Sequence, residues 1–240
     1  NIPSIIPFGG SDDKLFTKWK IPFENPKPYK FSAELIKYFV NENDIVLDFF
    51  AGSGTTGHAV FELSSQINGL RFILIQYPEI IKEKSLAHKA GFRKIVDITR
   101  KRLTLASEMY DPKLSLGFSY FNYDSSSLKK WQNYGGNDTN QLVTLFSYYE
   151  SSLVENWKPE NLLTEIMLIE GFPLDSTVEA VKAFRKNEVQ KVTSDSCEHA
   201  LFVCLDDKVK DETIKSLSLG DNDIFICLDN AVTDQDKARL

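Results

Sequence analysis

Apolar positions change their spacing several times along the chain. Leu35, Ile36 and Phe39 recur at helical intervals behind Ser32, which predicts a helix over residues 32–39 with the serine as its N-cap. The run DIVLD (44–48) is short, continuous and apolar up to its closing acid, and predicts a strand. Glycines follow at 52, 54 and 57, and helical spacing returns over 55–63 (TTGHAVFEL). Asn68-Gly69 marks a turn, and RFILIQ (71–76) reads as a second strand of the kind found in a sheet covered on both faces. Together these segments make one β-α-β unit. Further helices are expected over 80–89, stopped by Gly91, and over 98–109.

Asp111-Pro112 marks a domain boundary. Beyond it GFSYFNYD (117–124) predicts a strand, and SSSLKKWQNYGGNDTN (125–140) a polar loop expected to be the most mobile segment. A helix over 159–170 is closed by Gly171. ALFVCLDD, a helix over ETIKSLSL, and DIFICLD then predict a second β-α-β unit. No internal repeat, heptad array or low-complexity tract is present.

Composition narrows the class. With 240 residues, 42% hydrophobic and 26% charged, the chain is long enough for two cores. No segment approaches the roughly 18 uncharged apolar residues of a membrane span, and the N-terminus (NIPSIIPFGGSDDK) lacks the basic-then-apolar layout of a secretory signal. A soluble, cytoplasmic protein is expected, without membrane partners. Its first residue is Asn rather than Met, which points to a processed product or a piece of a longer chain. Cys197, Cys204 and Cys227 lack C-x-x-C spacing and read as buried, reduced thiols. Residues 1–110 carry a net charge of +3 and residues 111–240 one of -9, so the second part offers no cationic face to nucleic acid. His58, His88 and His199 have no metal-ligand spacing, and Asp206-Asp207 reads as a solvated turn.

The candidate chemistry lies in DFFAGSGTTGH (48–58). A glycine turn between strand and helix lets the backbone approach a ligand and aims helix amides at an anionic group. A nucleoside-triphosphate loop needs a lysine after its last glycine, where this chain has His58. A dinucleotide would place its pyrophosphate beside the Asp48 carboxylate, and the acid expected for its ribose is replaced by Gln76. S-adenosylmethionine reverses that objection, because its sulfonium and amino groups are cationic and Asp48 attracts them. Its single carboxylate can take amides and hydroxyls over Ser53, Gly54, Thr55 and Thr56, while Gln76 and Tyr77 reach ribose or adenine. A capped structural turn that binds nothing remains the alternative.

FENPKP (23–28), DIVLDFFAGSGTTGHAV and RFILIQYPE, in that order, resemble the adenine-specific DNA methyltransferases with permuted motif order, most closely the modification subunits of type III restriction-modification systems. GFRKIVDITRKRL, GFSYFNYDSSSLKKW and GDNDIFICLDNAVTDQDK extend the resemblance over nearly the whole chain, most specifically over residues 22–100. The resemblance implies that Lys27 and Pro28 help form the cofactor site and that Phe50, Gly52 and Gly54, with Phe49 beside them, belong to the S-adenosylmethionine loop. It also implies a D-P-P-Y motif holding the target adenine, yet the sequence contains no Pro-Pro dipeptide. Gln76 departs from the acid many such enzymes carry there.

The expectation is therefore an α/β protein. Residues 1–110 would be the cofactor-binding half of a partial Rossmann-like methyltransferase domain, and residues 111–240 a smaller α/β domain for subunit association. The partners implied are DNA, through the full-length protein, and a second modification subunit or the restriction subunit. The rival reading is a non-catalytic binding or assembly module.

Overall fold

The computed structural model describes residues 10–131, 136, 138–148 and 151–237. They form a mixed α/β protein of two compact units, Asn1–Tyr120 and Phe121–Leu240.

In the first unit the chain forms α1 (Asp13–Trp19), α2 (Tyr29–Ile36), β1 (Ile45–Asp48), α3 (Thr55–Leu63), β2 (Arg71–Leu74), α4 (Leu86–Lys89) and α5 (Ile95–Ser107). β1 and β2 pair in parallel, Ile45 against Arg71 through Asp48 against Leu74, and α3 makes the crossover between them. The expected β-α-β unit is thus present. Ala33, Ala59, Val60, Leu63 and Leu70 form the core between α2 and α3. Phe61, Leu103 and Ala106 join α3 to α5.

Several local expectations are corrected. The helix expected over 32–39 starts one turn earlier, at Tyr29, because Pro28 supplies the entry with φ -72, and Ser32 lies inside it. Residues 80–85 are not helical: Ile80 bridges to Lys94, and helix begins only at Leu86, capped by Ser85. The helix expected from residue 98 begins at Ile95, because Asp97 accepts the amides of Arg93 and Lys94 at 2.9 Å each. Residues 117–124 pair in no strand; Leu116 and Phe118 instead pack against the Phe61 and Leu103 cluster.

The sheet is covered on one face only, against the expectation for 71–76. Val46, Phe72 and Leu74 turn toward the helices, whereas Ile45, Leu47, Ile73 and Ile75 each remain about half exposed (49%, 48%, 50% and 49%). Side chains alternate across a strand, so helices on one side bury only every second residue.

The second unit contains α6 (Thr139–Tyr148), α7 (Pro159–Ile169), β3 (Thr177–Ala180), β4 (Val189–Thr193), β5 (Leu201–Cys204), α8 (Asp211–Ser216), β6 (Ile224–Cys227) and α9 (Asp234–Lys237). The sheet order is β3-β4-β5-β6, antiparallel except for the parallel β5-β6 pair expected from the sequence. Met167, Phe172, Val192, Leu201 and Val203 fill one face, and Val189, Phe202, Cys204 and Val209 the other. Cys204 is buried, but Cys197 and Cys227 are only partly so; all three are free thiols. Asp206 and Asp207 lie in a bend after β5 as expected, Asp207 exposed and Asp206 half-buried, the latter accepting from the Asn187 amide at 2.6 Å and the Glu188 backbone at 3.1 Å. Part of the polar loop expected over 125–140 lies outside the described residues. No helix among the described residues is long and apolar enough to cross a membrane.

Candidate functional site

The chain leaves β1 at Asp48 and reaches α3 through Phe49-Phe50-Ala51-Gly52-Ser53-Gly54. Gly52 (φ +52) and Gly54 (φ +82) both occupy the left-handed region that side chains disfavour, which is what bends the backbone back into a helix start. Gly57 serves a different need. A Cβ there would lie 2.7 Å from Leu103 Cδ2 and 3.0 Å from Leu74 Cδ1, so its absence lets α3 sit close to α5 and β2.

The turn is tied down from several sides. The amide of Ala51 donates to Ile75 O at 3.1 Å, and that of Gly52 to Gln76 Oε1 at 2.7 Å. Gln76 Nε2 donates to Tyr77 O at 2.9 Å, so this side chain bridges the turn to the end of β2. Thr99 donates to Gly52 O at 2.6 Å. Asp48 accepts from the Phe50 amide at 2.9 Å through one carboxylate oxygen and from the Thr56 hydroxyl at 2.6 Å through the other. Thr55 donates to Lys27 O at 3.4 Å, which brings the Lys27-Pro28 segment beside the turn.

Asp48, Phe49, Phe50 and Thr56 line a depression of about 410 Å³ together with Ser32 of α2 and Leu47 of β1. Phe50 is 90% and Tyr77 80% exposed, which leaves aromatic faces open at the ends of both strands. Of the residues nominated from the sequence, Lys27, Pro28, Gly52, Ser53, Gly54, Thr55, Gln76 and Tyr77 lie outside the lining of this depression. Ser53 is buried, and its hydroxyl accepts from Arg102 Nη1 at 3.1 Å.

That arginine is a neighbour of the turn that the sequence reading missed. Arg102, on α5, is fully buried and ion-paired to Asp12; Nη1 also reaches Thr55 Oγ1 at 2.8 Å. Burial pulls its pKa down to about 10 against the attraction of Asp12, and burial raises that of Asp12. A signal existed in the sequence: Thr99, Arg102, Leu103 and Ala106 share one helical face, so one of the basic residues in ITRKRL falls on the buried stripe. Thr99 and Asp12 were missed likewise. His58 packs rather than lines the site, and burial lowers its pKa to about 3. No group of His, Cys, Asp and Glu that could hold a metal occurs among the described residues.

Residues 11–87 match the DNA methylase family. The Mod subunit of the type III restriction-modification enzyme EcoP15I, from Escherichia coli, is 32% identical over 170 residues, 70% of this chain and 25% of that protein. The chain resembles the modification subunits of type III restriction-modification enzymes. The StyLTI Mod subunit of Salmonella typhimurium is 29% identical over 186 residues (66% of this chain, 28% of that protein). The type II methyltransferase M.KpnI of Klebsiella pneumoniae is 40% identical over 89 residues, 37% of this chain and 21% of that protein. The matches to the two Mod subunits span about a quarter of those proteins' length. The DNA methylase match begins at Ser11, just before the Arg102 partner Asp12, takes in the glycine turn and Gln76, and ends within α4, so Arg102 itself lies beyond it.

Proposed function

We propose that the chain is part of a DNA adenine methyltransferase of the type III kind and that its first unit holds S-adenosylmethionine at the glycine turn. The observation that carries this reading is the end of β1. There the Asp48 carboxylate, anchored through both oxygens, stands in a depression lined by Ser32, Leu35 and Ile36 of α2, at the foot of a double left-handed glycine turn that leads into α3. A fixed negative charge at that point favours a cationic ligand and disfavours a pyrophosphate. The first amides of α3, which have no partner within the helix, can receive one carboxylate. Exposed Phe49, Phe50 and Tyr77 offer faces for an adenine ring. Gln76 holds the turn in shape, Lys27-Pro28 closes its flank, and β1-α3-β2 is one unit of a Rossmann-like sheet.

When bound, S-adenosylmethionine supplies an electrophilic methyl group for the exocyclic amine of adenine. The residues of this chain bind and orient that donor. They hold no D-P-P-Y motif, so groups outside these 240 residues must hold the target base, and the chain alone transfers no methyl group. The half-open β1-β2 sheet and relatives about four times the length of the match accord with a part of a larger catalytic body. DNA would be engaged through the full-length protein. The acidic residues 111–240 would associate with a second modification subunit or the restriction subunit, in the cytoplasm.

A second reading draws on the same turn: Asp48, Gln76, Ser53 and Thr55 all have partners within the chain, as in a purely structural turn of an assembly module. Titration calorimetry decides between them. S-adenosylmethionine and its demethylated product should bind saturably and NAD should not; no heat with either adenosyl ligand would leave the assembly reading.

A further inference from the structure

We infer that Arg102 is a positioning residue that holds the glycine turn in its ligand-ready form from behind, with Asp12 as its anchor. The inference rests on the reading of that turn as the methyl-donor site. Arg102 is fully buried on α5, and its planar fork addresses three segments at once. Nη2 pairs with Asp12 Oδ2, at the head of α1. Nη1 donates to Ser53 Oγ at 3.1 Å and to Thr55 Oγ1 at 2.8 Å, in the turn itself. Nε donates to His58 Nδ1 at 3.4 Å, on α3, and the guanidinium lies 5.0 Å over the Phe16 ring.

The same pair also holds the Lys27-Pro28 segment. Asp12 Oδ2 accepts the Tyr29 amide at 3.0 Å, and the Asp12 amide donates to Pro26 O at 3.1 Å. Because Thr55 accepts from Arg102, its hydroxyl proton is left for Lys27 O. Residues 27–28 and 52–56 thus hang on one guanidinium-carboxylate pair, although neither Arg102 nor Asp12 lines the depression. Burying such a pair contributes little stability that well-packed apolar side chains would not match, so the gain lies in fixing one arrangement of the turn before a ligand arrives.

Two variants of the whole chain test this. Arg102→Lys keeps a charge but has no fork, and Asp12→Asn keeps an acceptor for Tyr29 while loosening the anchor at a distance from the turn. Far-ultraviolet circular dichroism confirms that each is folded. S-adenosylmethionine affinity should fall about tenfold or more in Arg102→Lys, as for the loss of a charge-assisted hydrogen bond, and less in Asp12→Asn. Amide hydrogen exchange should accelerate over residues 50–57, leave 60–63 and the second unit unchanged, and return to the wild-type rate at saturating ligand. Unchanged affinity in both variants, or acceleration spread evenly over the first unit, overturns the inference. If the wild-type chain gives no heat with S-adenosylmethionine, the methyl-donor reading fails and exchange alone decides. Selective acceleration over 50–57 then upholds Arg102 as the holder of the turn, and its absence overturns that too.

Discussion

The His58 imidazole lies flat on the Tyr29 phenol ring, with centroids 3.6 Å apart and planes 6° from parallel. The stack joins the first turn of α3 to the first residue of α2, the two helices that flank the candidate site. Nδ1 of the imidazole accepts from Arg102 Nε, so its proton sits on Nε2, which is buried and has no hydrogen-bond partner among the described residues. The ring is a neutral packing element.

Its neutrality makes stability depend on acid. Folded His58 titrates at about 3, against 6.5 for a free imidazole, because burial and then Arg102 disfavour its charged form. Below 6.5 the unfolded chain takes up a proton that the folded chain does not. The stability from a neutral His58 is therefore complete above that value and is lost as the pH falls toward 3. His58→Phe, which keeps a ring on Tyr29, removes this dependence. In urea unfolding the stability gap between wild type and variant should narrow by about 2 kcal/mol between about pH 6.5 and pH 5. A gap that stays constant contradicts the assignment.

Gly57→Ala should destabilise the first unit even though alanine favours helix. The added methyl meets Leu103 Cδ2 at 2.7 Å and Leu74 Cδ1 at 3.0 Å. Overpacking of about 1–3 kcal/mol outweighs a propensity gain of about 1 kcal/mol. Gly91→Ala, which meets nothing within 4 Å but has φ +98, serves as a comparison for backbone strain alone. Denaturant midpoints are the measurement, and a Gly57→Ala chain as stable as wild type would show that α3 can move away.

Asp48→Ala should weaken S-adenosylmethionine about ten- to hundredfold in calorimetry, from the loss of a charged partner and of the bonds to Phe50 and Thr56. Asp48→Asn can keep the bond to the Phe50 amide and separates charge from geometry. Full-strength binding by both variants, or tighter binding of NAD than of S-adenosylmethionine, would end the assignment of this site.

The purified chain should transfer no methyl group to double-stranded DNA of any sequence, because no D-P-P-Y motif holds a flipped adenine. Incorporation of labelled methyl above that of a Gly54→Ala chain would reveal a catalytic group in these 240 residues.

The β1-α3-β2 unit was legible because apolar runs, glycines and an Asn-Gly turn all agreed, and α3 spans Thr55–Leu63 as expected. Elements whose cause is tertiary were not. β3 is wholly exposed, and Gln190 and Lys191 interrupt the apolar pattern of β4, so pairing of β4 with β5 and of β3 with β4, rather than periodicity, makes these strands. The open face of β1-β2 could not be read either, since a continuous apolar run is the same whether one side is covered or two. Within the site, the charge of Asp48 and the glycine spacing were visible. The burial of Ser53 and the role of Arg102 depend on a contact between residues 49 positions apart, which local spacing does not encode.

The Asp12-Arg102 pair also constrains how the first unit assembles. Its members are 90 residues apart, so the contact closes only after nearly the whole unit has been made and collapsed. Until α1 arrives, an arginine destined for the interior has no counter-charge and stays hydrated, which holds α5 off the sheet. Docking of the N-terminal helix and closure of the core are then a single late event. The pair can close only once Arg102 has been made, and a protease that removes Asp12 would take away an anchor of the turn without touching the turn itself.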